Sequence, residues 1–203
     1  MDPVQAEKSA LRRTVLARLR AMDPAERSSS DREIRRRASQ LPSYQDCTVF
    51  FCFVGAGWEV DTSPWIAQAL AEGRRVSVPL CVGPGIMEAR YIRSLEDLRP
   101  GAWGIPEPPA DNPLCPPAEI SFAAVPCVAC GRDGIRLGRG GGYYDRFLAG
   151  SPFPAAVLCR ETALLDRIPR APWDRPADYV VTESRTYPID KTRRTSHGGQ
   201  DRH

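Results

Sequence analysis

The sequence predicts an α/β fold: a single-domain, three-layer sandwich with a largely parallel sheet and helices on both faces. Three observations carry that expectation. Segments with helical periodicity alternate with short β-rich apolar runs through most of the chain. The run 48–54, Thr-Val-Phe-Phe-Cys-Phe-Val, is apolar at nearly every position, as expected of a strand covered on both faces. A length of 203 residues suffices for a packed core without disulfides or a structural metal.

Taken in order, Asp2-Pro3 offers a cap and a first-turn proline, and Leu11, Val15, Leu19 and Met22 recur at three- and four-residue spacing, so the chain opens on an amphipathic helix. Asp23-Pro24-Ala25-Glu26 is a second start signal, predicting a helix through Ile34 and Ala38 to Leu41 with a solvated, arginine-rich face. After the 48–54 strand, Gly55 and Gly57 break the run, and Asp61 or Thr62 caps a helix carrying Trp65, Ile66, Ala69 and Leu70 that ends at Gly73. Strands are expected at 75–80, 87–92, 120–128, 155–159 and 179–182. Seven prolines between residues 100 and 117 mark an irregular crossing, too short and too close to strands to be an interdomain linker. Arg132-Asp133-Gly134 is a turn, Gly138 to Gly142 a glycine-rich loop, and Tyr143 opens a helix.

Composition excludes several mechanisms. The histidines are 2 in number, His197 and His203, both in a polar, glycine-containing stretch expected to be disordered. Ser-His-Asp and Cys-His catalysis and histidine-ligated zinc are therefore excluded from the body. The 7 cysteines are odd in number and scattered, unlike a disulfide framework. Cys127-x-x-Cys130 has no second pair or nearby histidine to complete a zinc site, and is expected to be structural. No apolar run approaches a membrane span and the N-terminus lacks a signal pattern, so the expected setting is cytoplasmic. A net charge of +3 does not argue for a nucleic-acid or membrane partner.

The richest stretch is Arg136-Leu-Gly-Arg-Gly-Gly-Gly-Tyr-Tyr-Asp-Arg146. Gly138, Gly140, Gly141 and Gly142 permit close backbone approach and positive φ, and their N–H groups can form an anion nest. Arg136 and Arg139 suit bidentate phosphate contacts, and Asp145 suits Mg²⁺. The plain alternative is a tight turn flanked by surface arginines. The loop is not a Walker A motif, since no Gly-Lys-Ser/Thr follows, nor a dinucleotide fingerprint. An Arg-Gly RNA-binding tract is a further reading, but such tracts are long and repeated. Lys8 and Arg12, four residues apart, share one helix face, as a phosphate clamp or as solvated surface. Glu59 follows a buried strand at its carboxyl end, where open α/β sheets bind ligands.

Lys8-x-x-x-Arg12, Trp58-Glu-Val-Asp-Thr62, Gly104-Ile-Pro-Glu-Pro108, Arg136-Leu-Gly-Arg-Gly-Gly-Gly-Tyr-Tyr-Asp-Arg-Phe-Leu148 and Ile168-Pro169 through Trp173-Asp174 to Asp178-Tyr-Val-Val-Thr-Glu183 together resemble the 5-formyltetrahydrofolate cyclo-ligase family. The resemblance spans 6–184 and makes 1–187 one domain, followed by a polar tail at 188–203. It implies ATP- and Mg²⁺-dependent cyclisation of 5-formyltetrahydrofolate to 5,10-methenyltetrahydrofolate, a reaction of small molecules, with ADP and phosphate released; a monomer is the default expectation. Lys8, Arg12, Arg136, Leu137, Gly138, Arg139, Gly140, Gly141, Gly142, Tyr143 and Tyr144 would then hold ATP. Val54, Glu59, Trp103, Gly140, Gly141 and Tyr143 would bind the folate, Glu59 taking the pterin's amino and amide edge. Asp145 and Asp174 would serve Mg²⁺, and Arg136, Tyr143 and Tyr144 would be catalytic. One departure stands out: Gly131 occupies a position that is usually Asp in the family, with Asp133 two residues on. A catalytically impaired folate- or nucleotide-binding protein of the same fold is the alternative it raises.

Overall fold

Successive residues of one buried strand pack into different layers, and the molecule is organised around that alternation. In a computed structural model, which describes residues 3–171 and 174–190, β1 (Val49–Cys52) is fully buried. Val49 and Phe51 join one apolar cluster with Val15 and Leu19 of α1 (Pro3–Ala21). Phe50 and Cys52 join the other, with Ile34 and Ala38 of α2 (Pro24–Ala38) and Trp65, Ile66 and Ala69 of a later helix. The period of two in a strand makes this division unavoidable, and it gives helices on both faces of the sheet.

The remaining elements follow in order: α3 (Pro42–Gln45), α4 (Ser63–Ala71), β2 (Arg75–Gly83), β3 (Ile86–Ile92), β4 (Arg99–Pro100), β5 (Pro106–Glu107), β6 (Phe122–Val125), β7 (Ala129–Gly131), β8 (Arg136–Leu137), α5 (Tyr143–Phe147), β9 (Ala155–Leu158), β10 (Leu164–Leu165), β11 (Tyr179–Val181) and β12 (Thr186–Pro188). Seven strands form the main sheet in the order β12-β11-β9-β6-β1-β2-β3. The pairs β11–β9, β9–β6, β6–β1 and β1–β2 are parallel, and only the edge pairs β2–β3 and β11–β12 are antiparallel. From β1 the chain moves outward through β2 and β3, then returns to add β6 on β1's other side. That reversal leaves a crevice at the carboxyl ends of β1 and β6. A smaller sheet, β10-β7-β8, leads into the glycine-rich loop.

Several expectations change. The second helix stops at Ala38 rather than Leu41, and Pro42 starts the separate turn of α3, since proline fits the first turn of a helix but not its interior. The expected strand 120–128 is shortened to β6, ending at Val125, because Pro126 has no N–H to continue the ladder, and β7 starts beyond it at Ala129. β1 is shorter than 48–54. Of the expected α4 caps, Asp61 Oδ1 accepts from Ser63 N at 3.0 Å. Thr62 occupies the N-cap position, but its hydroxyl makes no capping bond: it donates to Phe53 O at 2.6 Å and accepts from Gly55 N at 3.1 Å, pinning the strand end. The arginine-rich face is only partly solvated, since Arg27, Arg35 and Arg37 bind the carbonyls of Leu19, Asp61 and Glu183. β12 carries residue 188, and Ile189 N donates to Asp178 O at 2.8 Å, so the ordered body passes the expected boundary at 187. Asp2, Trp173, both histidines and the tail from 191 onward lie outside the described residues.

Candidate active site

A cavity of about 690 Å³ opens at the crevice between β1 and β6, lined from α1, the segments after β1 and β6, β2, β3, the 103–107 strap, the glycine-rich loop and α5. Its size suits a drug- or cofactor-sized ligand. Lys8, Arg12, Val54, Glu59, Trp103, Arg136, Leu137, Gly138, Arg139, Gly140, Gly141, Gly142, Tyr143, Tyr144, Asp145 and Asp174 all line it. Tertiary folding thus brings together every residue singled out in the sequence.

One end is cationic. Lys8, though on the exposed-looking first helix, is buried and ion-paired with buried Asp174. Asp174 Oδ2 also accepts from Ala171 N at 2.7 Å. Arg12 Nε donates to Gly138 O at 2.8 Å, holding the first helix to the loop; burial draws its guanidinium below the usual range, against the opposing charges of Asp145 and Asp174. Arg136 Nη2 donates to Asp145 Oδ1 at 2.8 Å, and its guanidinium lies 5.4 Å from the Tyr144 ring centroid. Leu137 turns the other way, its side chain buried in the first cluster.

The glycines are required for different reasons. Gly140 (φ 105°) and Gly142 (φ 70°) are in the left-handed half of conformational space. Gly138 and Gly141 are there for closeness: a Cβ would meet Arg136 Nη1 at 3.0 Å and the Tyr143 ring at 2.7 Å. Because α5 is only five residues long, the N–H groups that an anion could meet at this end are those of the loop itself rather than of a helix terminus.

The other end is aromatic and carries the Glu59 carboxylate. Gly55 is so close to Val60 O that a Cβ would lie 1.9 Å from it, and this tight return carries Trp58 and Glu59 into the cavity wall. Buried Arg160 fixes the return from behind. It pairs with Asp31 of α2 at 2.7 Å and donates to Glu59 O at 3.1 Å and Arg27 O at 3.2 Å. Glu59 Oε2 accepts from Ala56 N at 3.2 Å. Burial raises the Glu59 carboxyl above its ordinary range, while Arg139 and the Ala56 N–H pull it back. Tyr144 is raised by burial first and then by the Glu59 charge, so its phenol stays a neutral donor. Trp103, in a left-handed conformation (φ 56°), is 69% exposed and packs edge-on to Tyr143 at 5.6 Å. An aromatic residue in that conformation is a local strain.

Arg139 differs from its expectation as a phosphate ligand. Its Nη2 lies 3.1 Å and its Nε 3.2 Å from Glu59 Oε1, and its guanidinium lies 5.0 Å from the Trp58 ring centroid. The expected metal ligands are both engaged by cations, and among the described residues no three His, Cys, Asp or Glu side chains converge on a metal position. The donor set still fits an ion that arrives with its own ligands. Asp145 retains 31% side-chain exposure in the cavity, and Mg²⁺ commonly takes one or two carboxylates plus waters and phosphate oxygens.

The Gly131 departure has a structural counterpart. A Cβ at Gly131 would lie 2.5 Å from Asp133 Oδ1, the oxygen that accepts from Ile135 N at 3.2 Å. Asp133 therefore fills the space of the missing side chain and orders the turn before Arg136. Cys127 and Cys130 are buried free thiols, as expected. Sequence reasoning missed Gln5, Cys81, Met87 and Glu107 of the lining, and Arg160. For Arg160 a signal existed: a charged residue directly after a buried strand at its carboxyl end. Cys81 and Met87 lie on an edge hairpin, whose spacing points to no site.

Fold and cavity together define an α/β protein of the open-sheet kind with a ligand-sized crevice, in which a cationic glycine-rich loop faces an aromatic, carboxylate-bearing wall. Residues 4–183 match the model of the 5-formyltetrahydrofolate cyclo-ligase family, and the chain belongs to that family. It is 31% identical to a 5-formyltetrahydrofolate cyclo-ligase from Mycolicibacterium smegmatis, over 88% of this chain and 94% of that one. It is 30% identical to a mitochondrial 5-formyltetrahydrofolate cyclo-ligase from Arabidopsis thaliana, over 93% of this chain and 78% of the relative. A solved structure of 5,10-methenyltetrahydrofolate synthetase from Aquifex aeolicus superposes with a TM-score of 0.81 at 28% identity, covering 97% and 96% of the two chains.

Proposed function

We propose that the protein cyclises 5-formyltetrahydrofolate to 5,10-methenyltetrahydrofolate at the expense of ATP, with Mg²⁺, and does so as a cytoplasmic monomer. The observation that carries this reading is the union, in one cavity, of a cationic glycine-rich loop and an aromatic wall bearing a buried carboxylate. A formyl amide oxygen is a poor leaving group. In the proposed reaction it attacks the γ-phosphorus of ATP and ADP departs; the neighbouring anilino nitrogen then attacks the activated carbon, loses its proton, and phosphate leaves as the ring closes. Such transfer is mainly positioning and charge neutralisation, which needs no histidine.

In this reading Lys8, Arg12, Arg136 and the N–H groups of Gly138 to Gly142 bind the phosphates. Glu59 accepts from the pterin's amino and amide edge, with Val54 and Trp103 against the folate. Tyr143 and Tyr144 lie between the two substrates, Tyr144 as a neutral hydrogen-bond donor. Asp145 and Asp174 are the oxygens available to Mg²⁺, which when bound supplies charge neutralisation between phosphates.

The test is the ultraviolet absorbance of the methenyl product with ATP and Mg²⁺. An ATP-dependent rise is expected. Folate binding with no turnover would replace this reading with an impaired binder, and salt-sensitive RNA binding without ATP binding would replace both.

A further inference from the structure

Arg139 lines the cavity, yet the assignment above gives it no role. Two nitrogens of its planar guanidinium address a single oxygen of Glu59, at 3.1 and 3.2 Å, while its face lies 5.0 Å from the Trp58 ring centroid. A planar fork of N–H donors lying by an aromatic ring and bonded to a carboxylate is also what the amino and amide edge of a pterin presents. The carboxylate is held from two sides: Ala56 N binds its other oxygen, and Arg160 holds the Glu59 carbonyl. The partners differ in freedom. The Glu59 side chain is 6% exposed and the Arg139 side chain 44%, so the arginine can leave into solvent while the carboxylate stays.

Resting on the folate and ATP assignment above, we propose that Arg139 is a placeholder for the pterin: its guanidinium occupies Glu59 until the folate displaces it, and the released arginine then becomes available to the nucleotide phosphates. The backbone permits the exchange. Arg139 sits between Gly138 and Gly140, the latter at φ 105°, where no flanking side chain obstructs a swing. Without a nucleotide, Lys8 and Arg136 are matched by Asp174 and Asp145, and Arg139 takes the Glu59 carboxylate on which it is seen. With a triphosphate bound, the preference reverses. The two substrates are thereby coupled, and the coupling is reciprocal because it is a difference in binding free energies.

The experiment is calorimetric titration of 5-formyltetrahydrofolate and of a Mg²⁺-bound non-hydrolysable ATP analogue, each alone and with the other, in the wild type, Arg139→Met and Arg139→Lys. In the wild type each ligand tightens the other on the order of 5- to 10-fold. In Arg139→Met, folate alone binds several-fold tighter than in the wild type and the coupling factor falls to about 1. Arg139→Lys also binds folate more tightly, having lost the fork, but keeps part of the coupling through its charge. The analogue alone binds both variants within about threefold of the wild type, because without folate what Arg139 gains on the phosphates is largely offset by the Glu59 pair it gives up. Coupling that survives in Arg139→Met, folate binding weakened there, or a large loss of analogue binding without folate would each overturn the placeholder. So would a wild type that binds both ligands without coupling. A wild type that binds no folate overturns the substrate assignment itself, and is read independently of either variant.

Discussion

The two ends of the cavity are built on opposite principles. At the cationic end, Lys8 and Asp174 are both buried, and Arg136 is buried against a partly exposed Asp145. At the aromatic end, a buried Glu59 faces an arginine that remains 44% exposed. A fully buried pair is costly to desolvate and costlier to break, so its geometry is fixed. A pair with one exposed member is screened and exchangeable. The cationic end is thus preorganised, whereas the aromatic end keeps a partner it can give up.

The strongest way to break this comparison is Lys8→Met, which leaves Asp174 buried without its counter-charge. The expected loss is about 3–5 kcal/mol in urea denaturation, with turnover falling in parallel. A loss within experimental error of zero would mean that the pair is not fixed.

Next in size, Glu59→Gln removes a charged acceptor from the aromatic end, and the KM for folate should rise about 10- to 100-fold, the worth of a hydrogen bond to a charged group. Stability should move the other way. Burial raises the Glu59 carboxyl, so the folded state binds this proton more tightly than the unfolded one. The carboxyl's contribution is then fully present below its ordinary range and is lost as pH rises through its raised value. The thermal-midpoint gain of Glu59→Gln over the wild type should therefore be larger at pH 7 than at pH 4; an equal gain at both would remove the burial argument.

Asp145→Ala sharpens the contrast within the cationic end. The Mg²⁺ concentration for half-maximal turnover should rise about tenfold, since one of few protein oxygens is lost. An unchanged Mg²⁺ dependence would take Asp145 out of metal binding and leave it only the Arg136 pair.

The smallest effect is expected at Trp103→Gly, which relieves the left-handed conformation and should stabilise the fold by about 1 kcal/mol. The KM for folate should rise a few-fold in steady-state kinetics as the edge contact with Tyr143 is lost. A destabilised variant would show instead that the tryptophan's packing outweighs its strain.

Much of the fold was legible because periodicity is local. The doubly covered β1, the amphipathic first helix and the glycine-rich loop each declare themselves within a dozen residues. What local pattern misjudged were ends and partners: Thr62 sits at the N-cap but spends its hydroxyl on Phe53, and Pro126 divides an apolar run into two strands. Lys8 illustrates the harder limit. Its helical position suggested a charged face, yet its partner Asp174 is 166 residues away, and no spacing rule connects them. Arg139 was legible as a cation next to glycines, but its attachment to Glu59 spans 80 residues.

By itself, then, the sequence determined the α/β class, the absence of histidine from residues 1–196, and a set of residue types suited to an anion. Those properties belong to residue types and short-range spacing. Only the tertiary structure decided which charges neutralise one another, that Asp133 fills the space left by Gly131, and that Arg139 rests on the carboxylate rather than facing the phosphate-binding end. Those outcomes depend on desolvation and on angstrom-scale proximity between distant segments, and neither exists until the sheet has assembled and its switch-point crevice has closed around them.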